Sequence, residues 1–283
     1  MKVRNEKKRI LLCRAAALAA LLVMTGLLCG CGQGALSPVP GTPQKSENTM
    51  KKLFETKEEI LIDCLGDSIT WGMYSTPQLL ESIENGEIET GFDDGGQMFD
   101  DYGIYISGAF QSDPSYPEVL QDDLNQKLND AEISAQVKTV NDGICGDWIT
   151  KETYKRMSCD PDLVVLLMGG NNFNFDISID GMLEYNIEAL EKQGKIVVLA
   201  NYLLWPGGRL ADVFHSANEE LARVAEKEDV LLIDLNSQVE EMIGNGEFKR
   251  AELFSDDHVH LSEKGYALIG QLISDAIFKE IES

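Results

Sequence analysis

The chain has 283 residues, of which 43% are hydrophobic and 25% are charged. That composition is typical of a globular protein and excludes wholesale disorder and a polytopic membrane protein. The formal net charge of -24 repels phosphate backbones, so we expect no nucleic-acid partner. Acidity of this size also fits a merely soluble, exposed surface, so charge alone identifies no substrate.

The first 30 residues have the pattern of an export signal. Residues 1–9 are basic and residues 10–28 are mainly apolar, as in the n-region and h-region of a signal peptide. Arg14 interrupts the apolar run, and the part that follows it is shorter than the roughly 20 residues that span a bilayer. We therefore predict export, with a retained transmembrane anchor as the alternative.

The leader ends in Leu28-Cys29-Gly30-Cys31. This segment resembles the lipobox of bacterial lipoproteins, in which a small residue precedes the cysteine that is diacylated. Cys31 follows glycine, whereas Cys29 follows a bulky leucine, so the resemblance implies lipidation of Cys31. Lipid there would anchor the protein to the bacterial cell membrane on its extracytoplasmic side, and plain secretion is the alternative.

Residues 31–52 are rich in Pro, Gly, Ser and Thr and show little hydrophobic periodicity. They are predicted to form a flexible tether between the membrane and the folded part of the chain. The remainder, residues 53–283, is predicted to be one domain, because about 230 residues suffice for one full core.

Beyond the tether, short apolar runs alternate with amphipathic stretches. The strand-like runs are 60–65, 135–140, 163–168, 196–199 continuing to 203, and 230–235. The helix-like stretches are 116–128, 177–193, 210–227 and 264–281. This alternation predicts an α/β domain with a five-stranded parallel sheet covered on both faces. Residues 74–113 break the rhythm and are predicted to be an insertion, whose acidic cluster is a solvated or substrate-flanking loop rather than a calcium site.

Three cysteines lie in the body of the chain, at Cys64, Cys145 and Cys159. One disulfide, between Cys145 and Cys159, is compatible with export. Small buried thiols are favoured over a redox or metal role. The sequence has no CxxC motif or His/Cys cluster of the kind that binds zinc. We expect neither a metal nor an organic cofactor.

The motif GDSIT, residues 66–70, follows the first strand-like run. It places Ser68 at the carboxyl end of a parallel strand, where the sites of α/β proteins collect. Taken alone, the motif equally fits an ordinary turn. A serine nucleophile needs an adjacent base, for which histidine is best suited. Of the three histidines, His260 is favoured because Asp257 precedes it by three residues, so one loop can present both groups.

GDSIT and the segment DHVHLSEKGY, residues 257–266, are similar to the first and last blocks of the SGNH (GDSL-like) hydrolases. That family also has a glycine after its second strand and Gly-x-Asn-Asp after its third. Residues 141–147 and 169–172 match these two blocks in order. The resemblance covers residues 60–281 and implies a three-layer α/β/α, flavodoxin-like fold.

The resemblance also implies a catalytic triad and an oxyanion hole. The triad is Ser68 as nucleophile, His260 as general base and Asp257 as its orienting carboxylate. The oxyanion hole is the backbone N–H groups of Ser68 and Gly146 and the side-chain amide of Asn171. Such neutral donors stabilise the charge that develops on a tetrahedral intermediate.

The chain departs from the family pattern where Asn172 replaces the usual aspartate, which is expected to change a supporting hydrogen bond and not the mechanism. Asp256 adjoins Asp257, and only the three-residue spacing selects Asp257.

His258 is interpreted as a rim or structural residue and His215 as a surface or packing residue. A further set of aromatic residues fits either a substrate pocket or the core: Trp71, Trp148, Tyr202 and Trp205.

The function that the resemblance implies is hydrolysis of carboxylic esters. A protein exported and tethered at a surface meets glycans first, so the expected substrates are O-acetyl groups on carbohydrate. A lysophospholipase, an acyl thioesterase and an acyltransferase are alternatives within the same chemistry. Two alternatives are not enzymes: a non-catalytic glycan-binding lipoprotein and a solute-binding component of a transporter. The joint presence of the triad residues and Asn171 favours the enzyme.

Overall fold

A five-stranded parallel sheet runs through the computed structural model, which confirms the predicted fold class. The strands are β1 Glu59–Gly66, β2 Gly91–Phe92, β3 Ile104–Tyr105, β4 Gln136–Gly143, β5 Leu163–Leu167, β6 Ile196–Ala200 and β7 Leu231–Ile233. The sheet has the order β4-β1-β5-β6-β7, and each neighbouring pair in it is parallel. β2 and β3 form a separate antiparallel pair within the predicted insertion.

Helices cover the sheet on both faces. They are α1 Thr49–Thr56, α2 Ser68–Trp71, α3 Tyr116–Asp130, α4 Gly170–Phe173, α5 Asp180–Glu191, α6 Ala211–Glu228, α7 Leu235–Gly244 and α8 Glu263–Glu282. α8 packs against both α1 and α3, and α5 packs against α6. The four predicted helices are confirmed as α3, α5, α6 and α8.

The structure describes residues 49–74, 91–92, 104–105, 111–208 and 210–283, all within the unit Lys45–Ser283. The predicted leader, Cys31, most of the tether and most of the 74–113 insertion lie outside the described residues, and those predictions stay predictions. In the described part, no helix is long and apolar enough to cross a membrane.

The central strand β5 carries the densest part of the core. Its sequence, Leu-Val-Val-Leu-Leu, is buried at every position. A strand flanked by strands on both sides and by helices on both faces has no solvent-facing side, which explains the continuous apolar run. The same arrangement fixes the carboxyl ends of β1, β4 and β5 next to one another.

β6 ends at Ala200, three residues before the predicted end of its apolar run. After one more backbone bond, from the Asn201 N–H to the Ile233 carbonyl at 3.3 Å, side chains replace the neighbouring strand as hydrogen-bond partners. Asn201 donates to Asp234 at 2.7 Å, and the backbone N–H of Tyr202 donates to Asn218 at 2.9 Å. The apolar run of the sequence therefore extends three residues beyond the end of the strand.

A buried carboxyl group, Asp63, lies in the middle of β1. The thiol of Cys159 donates to its Oδ2 at 3.7 Å. Burial, and then the nearby Asp142 carboxylate, raise the pKa of Asp63 from 3.8 to about 8. The folded protein therefore holds a proton on Asp63 over a pH range in which the unfolded chain has lost it.

Because the folded state binds this extra proton, stability falls as the pH rises from about 4 to about 8, by at most about 1.4 kcal/mol per pH unit from this group. We expect Asp63→Asn to remove that contribution, since the amide is neutral at every pH and can still donate to Asp142. Urea unfolding of both proteins at several pH values in this range should measure their free energies of unfolding. The free energy of unfolding of the variant should increase relative to that of the wild type as the pH rises. Parallel stability curves would show that Asp63 does not titrate in this way.

Candidate active site

The predicted nucleophile and base are in direct contact. Ser68 is the first residue of α2, and only Asp67 separates it from the end of β1. His260 lies in the loop before α8, and its Nε2 is 2.8 Å from Ser68 Oγ, although 192 residues separate them. This distance allows the hydroxyl to donate its proton to the ring in one step.

Asp257 orients the imidazole from its other side. Its Oδ2 is 2.6 Å from His260 Nδ1, and its Oδ1 accepts from the backbone N–H groups of Val259 and His260, both at 2.9 Å. Burial alone raises the pKa of Asp257, but the side-chain hydrogen bond and charge of His260, followed by these backbone N–H groups, hold it well below its usual range. Asp257 is thus an ionised carboxylate, whereas Asp256 is exposed.

The turn from β1 into α2 depends on two residues of the GDSIT motif. A Cβ on Gly66 would lie 2.5 Å from the Leu167 carbonyl oxygen, so only glycine fits against β5. Asp67 is the N-cap of α2, and its Oδ1 accepts from the backbone N–H of Ile69 at 3.0 Å. The cap fixes the short helix that presents Ser68.

Tyr202 connects this turn to the third block. Its hydroxyl donates to Asp67 Oδ2 at 2.6 Å and accepts from the backbone N–H of Gly170 at 2.9 Å. Its ring is buried and stacks on Phe214 with centroids 4.7 Å apart. Burial raises the pKa of Asp67 to about 6, against the lowering effect of the hydrogen bonds from Tyr202 and Ile69. Tyr202 is therefore a core residue that holds two site loops together.

The three predicted oxyanion donors lie on neighbouring loops. The Ser68 N–H belongs to the first turn of a helix and has no intrahelical acceptor. Gly146 follows β4 and has a φ of 78°, which favours glycine. Asn171 lies in α4, and its Nδ2 donates to the Asp147 carbonyl at 2.7 Å. A carboxamide nitrogen carries two hydrogens, so this bond orients the group and leaves one hydrogen for a ligand.

An ion pair between Asp147 and Arg156 holds the loop that carries Gly146. The Asp147 side chain is fully buried and that of Arg156 is 11% exposed. Removing one member of a buried pair leaves the other charge without compensation, which costs about 3–5 kcal/mol. Arg156 lies outside the blocks that carry the family resemblance, so no sequence pattern predicts this pair.

Asn172, which replaces the usual aspartate, holds the same loop from a second point. Its Oδ1 accepts from the Ile149 N–H at 2.8 Å, and its Nδ2 donates to the Ile149 carbonyl at 3.0 Å. An aspartate could accept the first bond but could not donate the second. The amide at this position therefore has a structural role.

The structure also describes His215, the three cysteines and Trp71, which were singled out in the sequence. His215 is exposed on α6 beside Glu219, at 3.4 Å. Three cysteines of the described part, Cys64, Cys145 and Cys159, are free thiols. Trp71 is half-buried.

Comparisons with known proteins bear on the family and the fold. The model of the GDSL-like lipase/acylhydrolase family matches residues 64–268. Among similar solved structures is a lipase/acylhydrolase from Enterococcus faecalis, with 21% identity over 77% of this chain and 95% of that chain and a TM-score of 0.51. A catalytic mutant of an acetylxylan esterase from Geobacillus stearothermophilus has 18% identity over 79% and 94%, with a TM-score of 0.50.

A two-domain esterase active on acetylated mannans has 18% identity over 83% of this chain and 53% of that chain, with a TM-score of 0.51. At sequence identities this low, the similarity between these structures and this chain shows a shared fold alone. No curated protein sequence matches the chain.

Proposed function

Because the chain belongs to the GDSL-like lipase/acylhydrolase family, whose members hydrolyse esters, we propose that this enzyme is a serine esterase that uses Ser68 as its nucleophile. The observation that carries the proposal is the aligned series Ser68 Oγ, His260 and Asp257, with contacts of 2.8 and 2.6 Å. A serine, a histidine and an ionised carboxylate in this order form an activated nucleophile.

In the first half of the reaction, His260 Nε2 takes the proton of Ser68 Oγ as the oxygen attacks the ester carbonyl. The Asp257 carboxylate stabilises the imidazolium that forms. The N–H groups of Ser68, Gly146 and Asn171 bind the oxyanion. When the tetrahedral intermediate collapses, the alcohol oxygen leaves with the proton from His260, and the acyl group remains on Ser68.

In the second half, water replaces the alcohol. His260 takes a proton from water, which attacks the acyl carbonyl, and the same donors bind the second oxyanion. Collapse breaks the bond to Ser68 Oγ, which regains its proton from His260. The carboxylic acid is released, and neither a metal nor an organic cofactor takes part.

The proposed substrates are O-acetyl groups on carbohydrate. Phe175, which follows the third block closely, is a large aromatic side chain that is exposed. Flat aromatic rings suit sugar faces, whereas a long acyl chain needs an aliphatic channel. Two proteins with the same fold are named for activity on acetylated xylan and on acetylated mannans, which makes these polymers the first substrates to test.

The test is the release of acetate from acetylated xylan, acetylated mannan and p-nitrophenyl acetate by the wild-type protein and by Ser68→Ala. We expect the wild type to act on p-nitrophenyl acetate and on at least one of the polymers, and the variant to act on none of them. Activity on p-nitrophenyl acetate without acetate release from either polymer would refute the proposed substrate class. Equal rates for wild type and variant would refute the proposed nucleophile.

We further propose that the protein is an exported lipoprotein anchored at the bacterial cell membrane through Cys31. The basic and apolar leader and the Gly30-Cys31 pair support this. Metabolic labelling with a fatty-acid analogue should mark the wild type and Cys29→Ala but not Cys31→Ala. Label retained in Cys31→Ala would place the lipid elsewhere.

A further inference from the structure

Two aromatic pairs include residues that are close in sequence to the proposed catalytic residues. In the first, Trp148 and Phe175 meet edge to face with centroids 5.5 Å apart. In the second, Trp205 and His258 stack with centroids 3.9 Å apart and planes 4° apart. We call these the Trp148 platform and the Trp205 platform. Trp148 is two residues after Gly146, and His258 is two residues before His260.

In strand order, the sheet topology places Trp148 and Trp205 on opposite sides of Ser68. Trp148 follows β4 and Trp205 follows β6, and the nucleophile follows β1, which lies between them. Phe175 follows β5 and contacts Trp148. From β4 to β6 there are three strand spacings, which amount to about 15 Å. This span is longer than one sugar ring.

Each platform has a feature that packing alone does not explain. Phe175 is 67% exposed although it is a large apolar side chain, so most of its ring is not stabilised by burial. His258 is exposed and has a φ of 58°, a left-handed conformation that costs a non-glycine residue about 1–2 kcal/mol. Strained and exposed groups beside a reactive centre are typical of ligand-binding residues.

The charges around the platforms restrict the ligand. Asp176 is exposed directly after Phe175, and Asp256 is exposed two residues before His258. Both carboxylates repel an anionic polymer, and the whole chain adds to this with its net charge of -24. An uncharged ligand with flat apolar faces fits both observations.

We infer that the Trp148 and Trp205 platforms bind sugar rings on either side of Ser68, so that the enzyme deacetylates internal residues of an extended, uncharged polysaccharide. This rests on the proposed esterase function. The C–H faces of pyranose rings pack on the aromatic planes, and the ring between them presents its acetyl group to Ser68. Binding energy from the flanking rings positions the ester for attack.

The test compares Phe175→Ala, His258→Asn and the control Tyr185→Ala with the wild type. Asparagine is chosen because it tolerates a positive φ, and Tyr185 is an exposed aromatic residue of α5 outside both platforms. The measured quantity is kcat/KM for acetylated xylan divided by kcat/KM for p-nitrophenyl acetate. We expect this ratio to fall about five- to tenfold in each platform variant, mainly through KM, because each loses about 1–1.4 kcal/mol of stacking energy.

The control variant should keep the wild-type ratio. The wild type should also prefer acetylated xylo-oligosaccharides to an acetylated monosaccharide, and acetylated xylan to acetylated pectin, whose backbone is anionic. If the wild type deacetylates xylan and both platform variants keep its ratio, the platforms are refuted and the esterase proposal stands. If the wild type hydrolyses p-nitrophenyl acetate but no acetylated glycan, the carbohydrate proposal fails together with this inference.

Discussion

Ser68→Ala and His260→Ala should each lower kcat for p-nitrophenyl acetate by roughly 10⁴-fold or more, and the double variant should be no worse than either single one. The hydroxyl and the imidazole act as one unit, because without the base the hydroxyl is a poor nucleophile and without the hydroxyl the base has no proton to take. The 2.8 Å contact between their side chains is the structural reason. Steady-state kinetics on the three variants would measure this.

His215→Ala is the matched control for the histidine. His215 is exposed on α6, with Glu219 as its neighbour, and its loss should leave kcat within about twofold of the wild type, as for most surface substitutions. Thermal unfolding of all variants should show that the fold is retained. Multiplicative losses in the double variant would mean that Ser68 and His260 act independently, contrary to the proposed mechanism.

Asn171→Ala should lower kcat by about 10²- to 10³-fold with little change in KM. The Asn171 amide is held by its bond to the Asp147 carbonyl, so its second hydrogen is already oriented and costs no reorganisation when the oxyanion forms. Because this donor is used fully only in the transition state, its removal affects kcat more than binding. Asn171→Asp should be worse than Asn171→Ala, since it places a carboxylate where negative charge develops.

Asn174→Ala is the control for this pair. Asn174 is exposed at the end of α4, and its variant should keep wild-type kinetics within about twofold. A loss of less than about fivefold in Asn171→Ala, well below the usual value for such a donor, would remove Asn171 from the oxyanion hole.

The sequence predicts the fold well because its signals are local. Runs such as 163–168 are short, apolar and bounded by polar turns, and they match β5 closely. The block motifs carry the site in the same way: GDSIT fixes a turn, and Asp257 lies near His260 in one loop. Boundaries are less accurate where side chains end a strand, as after Ala200.

The supporting contacts of the site could not be read from the sequence, because they join residues far apart in the chain. Tyr202 is 135 residues from Asp67, and no local pattern distinguishes its hydroxyl from that of a pocket tyrosine. The pairing of Asp147 with Arg156 likewise depends on how the chain returns after β4. Such contacts emerge only when the sheet brings the loops together.

The most direct test of Ser68 as an activated nucleophile is labelling with a fluorophosphonate, which reacts with activated serine hydroxyls and leaves a covalent adduct. The wild-type protein should carry one adduct, located at Ser68 by mass spectrometry of peptides, and His260→Ala should label far more slowly. An adduct on another serine, or equal labelling rates in the wild type and His260→Ala, would contradict a nucleophile at Ser68 activated by His260.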